Sequence, residues 1–141
     1  MVKKDKNILT KAFKKMAVAR VRLKEGAGSI KINGVPVFLH KPLAAQDIIM
    51  EPVILAREVF GLHFEYGLDI DANVAGGGIM GQAYAVRTVV GKALLKWGES
   101  EELKKIYHDY DRSLFIDDVR RKEPKKYLRK GARAKPIKSY R

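Results

Sequence analysis

The sequence contains no cysteine among its 141 residues. This absence excludes a disulfide-stabilised scaffold, a cysteine-ligated zinc ribbon and a catalytic thiol. No apolar run approaches the roughly 20 residues that a membrane-spanning helix needs, and the basic N-terminal segment 1–15 lacks the continuous apolar stretch of a signal peptide. We therefore expect a cytoplasmic protein without a membrane partner, of a length that suits one domain and a tail.

Acidic residues are also few, and the basic excess lies at the two ends of the chain. Lys and Arg number 29 against 16 Asp and Glu. Residues 1–24 hold nine basic residues and one acidic residue. Residues 25–118 hold nine basic and fourteen acidic residues, and residues 119–141 hold eleven basic residues and one acidic residue. A run with so little apolar surface is expected to be extended when alone, and a polyanion such as RNA, DNA or an anionic membrane would order it. A tail that only keeps the protein soluble is the alternative. The sequence thus predicts a globular domain over residues 1–118 and an extended basic tail over residues 119–141.

Alternating apolar and polar residues predict the strands of a small sheet. In the first of them Arg20 and Arg22 project together from one face. Asn33 and Gly34 form a strong hairpin signal, and Pro36 restricts the piece that follows to a short or edge strand. The predicted strands are residues 17–23, 29–33, 35–38 and 68–74.

Apolar residues at helical spacing predict the other layer of the fold. Pro52 is expected to break or kink the first helical stretch, Gly98 to end the longest helix, and Ser100 to cap a further one. Residues 114–116 form either a short last strand or a loop anchored in the core. The predicted helices are residues 42–50, 52–60, 79–97 and the one that follows Ser100. We therefore predict a single α+β sandwich with its helices on one face of the sheet.

The glycine-rich segment Gly76–Gly81 contains a G-x-G-x-x-G match between a predicted strand and a predicted helix. This is the context of a dinucleotide-binding loop, so a nucleotide-dependent oxidoreductase that uses this loop is one alternative. The pattern also requires a second strand ending in an acid about 20 positions on, and the sequence shows no such strand. A tight strand-to-helix turn is another alternative. The third is a phosphate site at the start of the helix, with Gln82 and Arg87 beside it.

Candidates for catalysis are sparse. His40, His63 and His108 are widely separated and have no ligand-spaced carboxylate or cysteine near them. Asp69 and Asp71 share one face of a predicted strand, where solvation is expected. No nucleophile, base and oxyanion-binding group come together. We therefore expect no enzymatic activity, no cofactor and no metal.

Three blocks of the sequence, in order, carry a resemblance to a known family. Residues 76–87 (GGGIMGQAYAVR) are similar to the signature of the ninth protein of the small ribosomal subunit. Residues 14–23 (KKMAVARVRL), followed by residues 32–34 (ING), resemble the opening strand pair of that family, and residues 118–127 (DVRRKEPKKY) resemble the entry to its tail. The ending 138–141 (KSYR) is similar to the archaeal and eukaryotic branch. Leu128 stands where that family frequently has glycine.

The resemblance implies a structural RNA-binding protein of the ribosome, in the head of the small subunit. It implies a left-handed β-α-β crossover, as in the second domain of the fifth small-subunit ribosomal protein. It also implies neighbouring head proteins as partners, no homo-oligomer, and a tail that extends towards the anticodon stem-loop of the peptidyl-site tRNA. By position, Arg141 would contact this tRNA, with Lys138 and Tyr140 adjacent.

The residues expected to contact ribosomal RNA lie in the basic ends of the chain and in the glycine turn. Lysines and arginines would neutralise phosphates, and Tyr127 and Tyr140 would stack on bases or riboses. A non-specific DNA-binding protein with the same basic ends is the remaining alternative. The expected contacts are Lys14, Lys15, Arg20, Arg22, Gly76, Gly77, Gly78, Gln82, Arg87, Arg120, Arg121, Lys122, Lys125, Lys126, Arg129, Lys130, Arg133 and Lys135.

Overall fold

The computed structural model describes residues 7–136 and residue 138. Three short 3-10 helices connect the regular elements, at Val37–Leu39, Phe64–Gly67 and Arg112–Leu114. In this part of the chain no helix is long and apolar enough to cross a membrane. In chain order the regular elements are strands β1 (Ile8–Lys14), β2 (Ala17–Glu25), β3 (Ile30–Ile32) and β4 (Val35–Pro36), helix α1 (Leu43–Phe60), strand β5 (Leu68–Ala75), and helices α2 (Ile79–Gly98) and α3 (Glu101–Asp111).

The five strands form one mixed sheet in the order β1-β2-β5-β3-β4. Neighbouring strands are antiparallel except β3 and β5, which are parallel and are joined through α1. A parallel neighbour requires a crossover connection, and α1 supplies it. The predicted α+β class is therefore confirmed, with a five-stranded sheet and three helices.

Strand β1 was not predicted, because residues 1–15 were interpreted as a basic segment. It pairs with β2 along its whole length, from Ile8 opposite Leu23 to Lys14 opposite Ala17. Its period-2 signal is weak, because the apolar Leu9 and Phe13 lie on the outward face and the polar Thr10 lies on the inward one. The inward side chains of Thr10 and Ala12 are nevertheless buried, and pairing with β2 stabilises a strand that the local sequence does not indicate.

The core lies between one face of the sheet and α2, which contacts β1, β2 and β5. Helix α1 packs on α2, and α3 packs on α1. Helix α2 is therefore enclosed, and its residues from Ala85 to Leu94 are buried except Lys92. The inward residues of the two central strands are all buried: Ala17, Ala19, Val21 and Leu23 in β2, and Leu68, Ile70, Ala72 and Val74 in β5.

Helix α1 runs continuously through Pro52, so of the predicted break or kink the break is wrong. Pro52 is buried, and its carbonyl oxygen accepts a 2.6 Å hydrogen bond from the hydroxyl of Tyr107 in α3. Burial raises the pKa of the Tyr107 hydroxyl. Proline has no N–H to donate to the carbonyl oxygen of Ile48, and the buried contacts of Pro52 stabilise the helix despite this loss.

Other local predictions are confirmed, with small differences at the ends of the elements. Asn33 and Gly34 both have positive φ, as the predicted hairpin turn requires. The Ser100 hydroxyl caps α3 by accepting from the amide of Leu103 at 3.3 Å. Helix α2 ends at Gly98, but the left-handed cap is Glu99, with φ 48°. Residues 37–39 form a 3-10 helix instead of continuing the strand predicted over residues 35–38.

The segment at residues 114–116 is not a strand. Leu114 ends a 3-10 helix and is fully buried. The second of the two predicted alternatives, a loop anchored in the core, is therefore confirmed.

Candidate nucleic-acid interface

The face of the sheet turned away from α2 is rich in basic side chains, and we call it the open face. Strand register places Lys11 directly opposite Arg20, and Arg20 opposite Asn73. Arg22 lies between Leu9 and Asp71 in the next row. Besides Phe13 and Val18, the open face consists of Leu9, Lys11, Arg20, Arg22, Lys24, Lys31, Asp69, Asp71 and Asn73. Five basic residues thus share this face with two acidic ones.

Of the two acids, Asp69 is held by a neighbouring loop. Its Oδ1 accepts hydrogen bonds from the amide and hydroxyl of Ser29 and from the amide of Ala27, at 2.9–3.1 Å. These bonds lower the pKa of Asp69, and the Lys24 ammonium 3.6 Å away acts in the same direction. The expectation that Asp69 is simply solvated is therefore wrong. Its negative charge is used to order the loop after β2.

A groove of about 980 Å³ runs along β1, between the open face and α2. Its apolar part comes from Leu9, Leu95 and Phe115, and its polar rim from Lys11, Arg20, Arg22, Asn73, Lys92 and Lys96. Thr10 ties β1 to α2, because its hydroxyl donates to the carbonyl oxygen of Val89 at 3.2 Å. Lys92 forms an ion pair with Asp117 at 2.7 Å. The other four cations of the rim have no ion-pair partner within the described residues.

The basic tail leaves the domain at the end of β1, beside the open face. Asp118 forms an isolated parallel bridge with Lys14 and an ion pair with its ammonium. The Arg120 guanidinium binds both carboxylate oxygens of Asp118, at 2.8–3.2 Å. The hydrogen bonds from Arg120 and Lys14 hold the pKa of Asp118 well below its usual range. Next along the chain, the Arg121 guanidinium lies 5.1 Å from the ring centre of Phe13, a cation–π distance.

Beyond this anchor, residues 119–136 form no helix or strand, and their basic side chains are solvent-facing. The Tyr127 side chain is 89% exposed, and Arg133 pairs with Glu123 at 2.6 Å. Leu128 has φ 55°, a left-handed conformation that favours glycine. The exposed cations are Arg120, Arg121, Lys122, Lys125, Lys126, Lys130, Arg133, Lys135 and Lys138, whereas Arg129 is half-buried. Tyr140 and Arg141 lie outside the described residues.

The glycine turn between β5 and α2 is explained by close packing. Gly76 and Gly77 have φ of 76° and 68°. A Cβ atom on Gly76 would lie 2.5 Å from the carbonyl oxygen of Met16, at the tip of the β1–β2 hairpin. Gln82 closes the turn, because its amide donates to the carbonyl oxygen of Gly76 at 3.1 Å. The tight-turn alternative therefore accounts for Gly76 and Gly77.

We expect Gly76→Ala to lower the free energy of unfolding by about 1–3 kcal/mol, since it forces a Cβ into a left-handed, crowded position. Gly78→Ala is the matched control. Gly78 has negative φ, and among the described residues no atom lies within 4 Å of the position that a Cβ would take, so its cost is expected to be small. Urea denaturation of both variants measures the difference. Equal stability of the two variants would show that the Met16 contact is unimportant.

Arg87 lies inside the protein, with only 4% of its surface exposed. Its Nη1 donates to Asp111 at 2.8 Å and to the Ser113 hydroxyl at 2.9 Å, and its Nε pairs with Glu51. A guanidinium enclosed by these partners does not reach a phosphate at the surface. The expectation that Arg87 faces RNA is therefore dropped, and Arg87 is excluded from the interface proposed below.

Sequence reasoning placed Arg20 and Arg22 on a common face, and the structure confirms this. Lys14 is half-buried at the anchor of the tail, and Lys15 is exposed in the hairpin turn. Among the polar residues of the groove, Lys11, Asn73, Lys92 and Lys96 were missed. Asn73 alternates with buried residues in a predicted strand, a signal that places it on the outward face, but nothing local shows that it lies beside Arg20.

Comparison with known proteins gives a consistent result. Residues 12–141 match the family model described as ribosomal protein S9/S16. A protein named small ribosomal subunit protein uS9 from Methanothrix thermoacetophila is 48% identical over 128 residues, which cover 91% of this chain and 93% of the relative. Proteins of the same name from Thermoplasma acidophilum and Thermoplasma volcanium are each 42% identical over 134 residues. These residues cover 95% of this chain and 100% and 98% of the two relatives.

Proposed function

Because this chain belongs to the ribosomal protein S9/S16 family, whose members are structural proteins of the small ribosomal subunit, we propose that its open face and basic tail bind ribosomal RNA in the head of that subunit. The family is not enzymatic, so the alternative of a nucleotide-dependent oxidoreductase is excluded. The protein works in the cytoplasmic ribosome, among ribosomal RNA and other ribosomal components.

One observation carries the RNA-binding proposal: the cations of the open face and those of the tail lie on the same side of the sheet. Lys11 and Arg20 lie on the same face as Phe13, and the Arg121 guanidinium at the start of the tail lies 5.1 Å from the Phe13 ring centre. A folded RNA that lies along this face would meet Arg20, Arg22 and Lys11, then cross the apolar pair Phe13 and Val18 and meet the cations of the tail. Contacts to phosphates of this kind fix the position of a protein without reading sequence, so the shape of the folded RNA supplies specificity.

The tail extends the interface beyond the domain. We propose that residues 119–141 form an extended segment that threads through ribosomal RNA towards the decoding side, where Lys138, Tyr140 and Arg141 contact the anticodon stem-loop of the peptidyl-site tRNA. The exposure of residues 119–136 and their lack of helix and strand support contacts with RNA. Turns at residues 126–129 and 131–134 and the ion pair of Arg133 with Glu123 bend this segment, so the proposal requires RNA to extend it. The same proposal includes a left-handed β3–α1–β5 crossover, contacts with neighbouring head proteins, and a monomeric chain.

The test is sedimentation of native lysate in about 0.5 M salt, a concentration at which loosely held basic proteins dissociate. We expect the chain to remain with the small subunit at near one copy per particle. The double variant R20A/R22A is expected to leave the particle at a lower salt concentration, because two phosphate contacts are lost. The matched control, K104A/K105A on the exposed side of α3, should behave as wild type.

Recovery of the wild-type chain in the soluble top fractions would overturn the proposal. Equal salt sensitivity of the two double variants would instead remove the open face from the interface. A binding competition between ribosomal RNA and duplex DNA at matched salt tests the DNA-binding alternative, which predicts equal affinities.

A further inference from the structure

The groove along β1 combines an apolar floor with a cationic rim. A surface that bound only phosphates would need the cations but not the apolar floor. We propose that this groove binds one unpaired nucleotide that ribosomal RNA extrudes from its helices, with the base on the apolar floor and the flanking phosphates on the rim. This inference rests on the proposed RNA-binding function and adds the class of RNA element that the groove recognises.

The floor of the groove is apolar. Leu9 is 73% exposed on the open face, and it lines the groove together with Leu95 and Phe115. In an RNA duplex the base faces are stacked inside and the surface consists of phosphates, riboses and groove edges. Only an unstacked base offers an apolar face to such a floor, and bases that are splayed out stack on aromatic side chains such as Phe115.

The groove has the size of a site for a small organic ligand. Its volume of about 980 Å³ lies within the roughly 300–1,000 Å³ of sites that hold small organic ligands. A single nucleotide belongs to that class of ligand.

The cations of the rim come from two sides of the groove. Arg20 and Arg22 rise from the open face, whereas Lys96 comes from α2, on the other side of β1, beside Lys92, which pairs with Asp117. Cations without an ion-pair partner among the described residues therefore flank the groove on two sides. An extruded nucleotide has one phosphate on each side of its sugar, and each side of the groove has a cation for one of them.

Asn73 supplies a group that can recognise the base. It lies opposite Arg20 in the register, is exposed, and lines the groove. In the described part of the chain its side-chain amide makes no hydrogen bond. An amide has both a donor and an acceptor, so it can pair with the edge of a base that lies beside Leu9 on the open face.

The experiment compares two RNA hairpins that differ only in one bulged nucleotide, using the full-length chain and measuring dissociation constants at one salt concentration. We expect the wild-type chain to bind the bulged hairpin about tenfold more tightly than the fully paired one, because base stacking contributes to the first alone. The tail makes the same contacts with both hairpins, so the ratio of the two dissociation constants measures the contribution of the groove alone.

Two variants assign the preference to the groove. L9S removes apolar floor from an exposed position, and we expect it to bring the ratio close to one while the affinity for the paired hairpin is unchanged. L43S is the matched control, because Leu43 is also 73% exposed but lies at the start of α1, away from the groove. The control is expected to keep the wild-type ratio. N73A should reduce the ratio in the same direction as L9S.

The outcomes separate the two proposals. Equal affinity of the wild-type chain for both hairpins, or a preference that L9S leaves unchanged, would overturn the assignment of the groove and leave RNA binding intact. Failure to bind either hairpin more tightly than a DNA duplex of the same length would overturn the RNA-binding proposal itself.

Discussion

Arg87→Ala is expected to lower the free energy of unfolding by about 3 kcal/mol. Removal of one partner of a buried ion pair typically costs about 3–5 kcal/mol, because the other charge is left buried without compensation. Here the lower end applies, since the side chains of Glu51 and Asp111 keep 29% and 40% of their exposure and can be rehydrated. Urea denaturation at neutral pH, with the midpoint and slope both fitted, measures this loss.

Several contacts are lost together in this variant. The guanidinium joins α1, through Glu51, to the last residue of α3, Asp111, and to Ser113 in the 3-10 helix that follows. It also lies 5.9 Å from the ring centre of Tyr84. Partial burial alone would raise the pKa of Asp111, but the hydrogen bonds from Ser113 and Arg87 outweigh this effect and the pKa is lowered. Asp111 is thus stabilised in its charged form by the residue that the variant removes.

Arg112→Ala is the matched control, because Arg112 lies in the same region but is exposed. Exposed charges contribute little, so a change below about 1 kcal/mol is expected. Arg87→Lys keeps the charge but not the forked geometry, and an intermediate loss is expected. If Arg87→Ala were no less stable than Arg112→Ala, the buried cluster would have no role in stability, and Arg87 would return to the candidates for RNA contact.

The elements with strong local signals were predictable. Strands β2 and β5 alternate cleanly, Asn33 and Gly34 specify a tight hairpin, and Ser100 provides a capping side chain. Each of these signals lies within a few residues of the element that it determines. The observed burial alternates in both strands, as the period of two requires.

Strand β1 and the path of the chain through Pro52 depend on distant partners. β1 is stabilised by pairing with β2 and by the contact of Thr10 with Val89, which no local pattern reveals. Pro52 is buried in α1, and the hydroxyl of Tyr107, more than 50 residues away, donates to its carbonyl oxygen and so ties α1 to α3. Propensities describe the isolated segment, and tertiary packing outweighs them at such positions.

The residues of the candidate interface also fall into two groups: those that local sequence patterns predict and those that depend on distant contacts. The basic tail and the shared face of Arg20 and Arg22 were predictable, because charge runs and strand alternation are visible in the sequence. The approach of Lys92 and Lys96 to the open face was not, since it requires α2 to pack beneath β1. Arg87 was misassigned for the converse reason: its charge is visible in the sequence, but the acids that enclose it are distant along the chain.

Removal of residues 119–141 is expected to weaken binding to ribosomal RNA at least about 100-fold at near-physiological salt. The segment holds eleven basic residues and one acid. Each phosphate contact contributes about −0.7 to −0.9 to the slope of log affinity against log salt. Six such contacts would account for a slope of roughly −4 to −5. We expect the slope measured for the truncated chain to be shallower by this amount. Filter binding or anisotropy titrations across a series of salt concentrations measure both quantities.

The fold should survive this truncation. Within the described part of the tail the side chains are mostly exposed, and the ion pair of Arg120 with Asp118 is at the surface, where such pairs contribute little. We expect the free energy of unfolding to change by less than about 1 kcal/mol. A loss of affinity with unchanged stability then reports on contacts with RNA and not on unfolding.

A shorter deletion, residues 138–141, separates the two roles proposed for the tail. It removes two of the eleven basic residues, so affinity for ribosomal RNA and assembly into small subunits should be largely retained, while binding of peptidyl-site tRNA to the assembled subunits should weaken. Unchanged tRNA affinity would remove Lys138, Tyr140 and Arg141 from the tRNA contact. If the full truncation reduced RNA affinity less than about threefold, binding would depend on the open face alone, and the tail would serve only to keep the protein soluble.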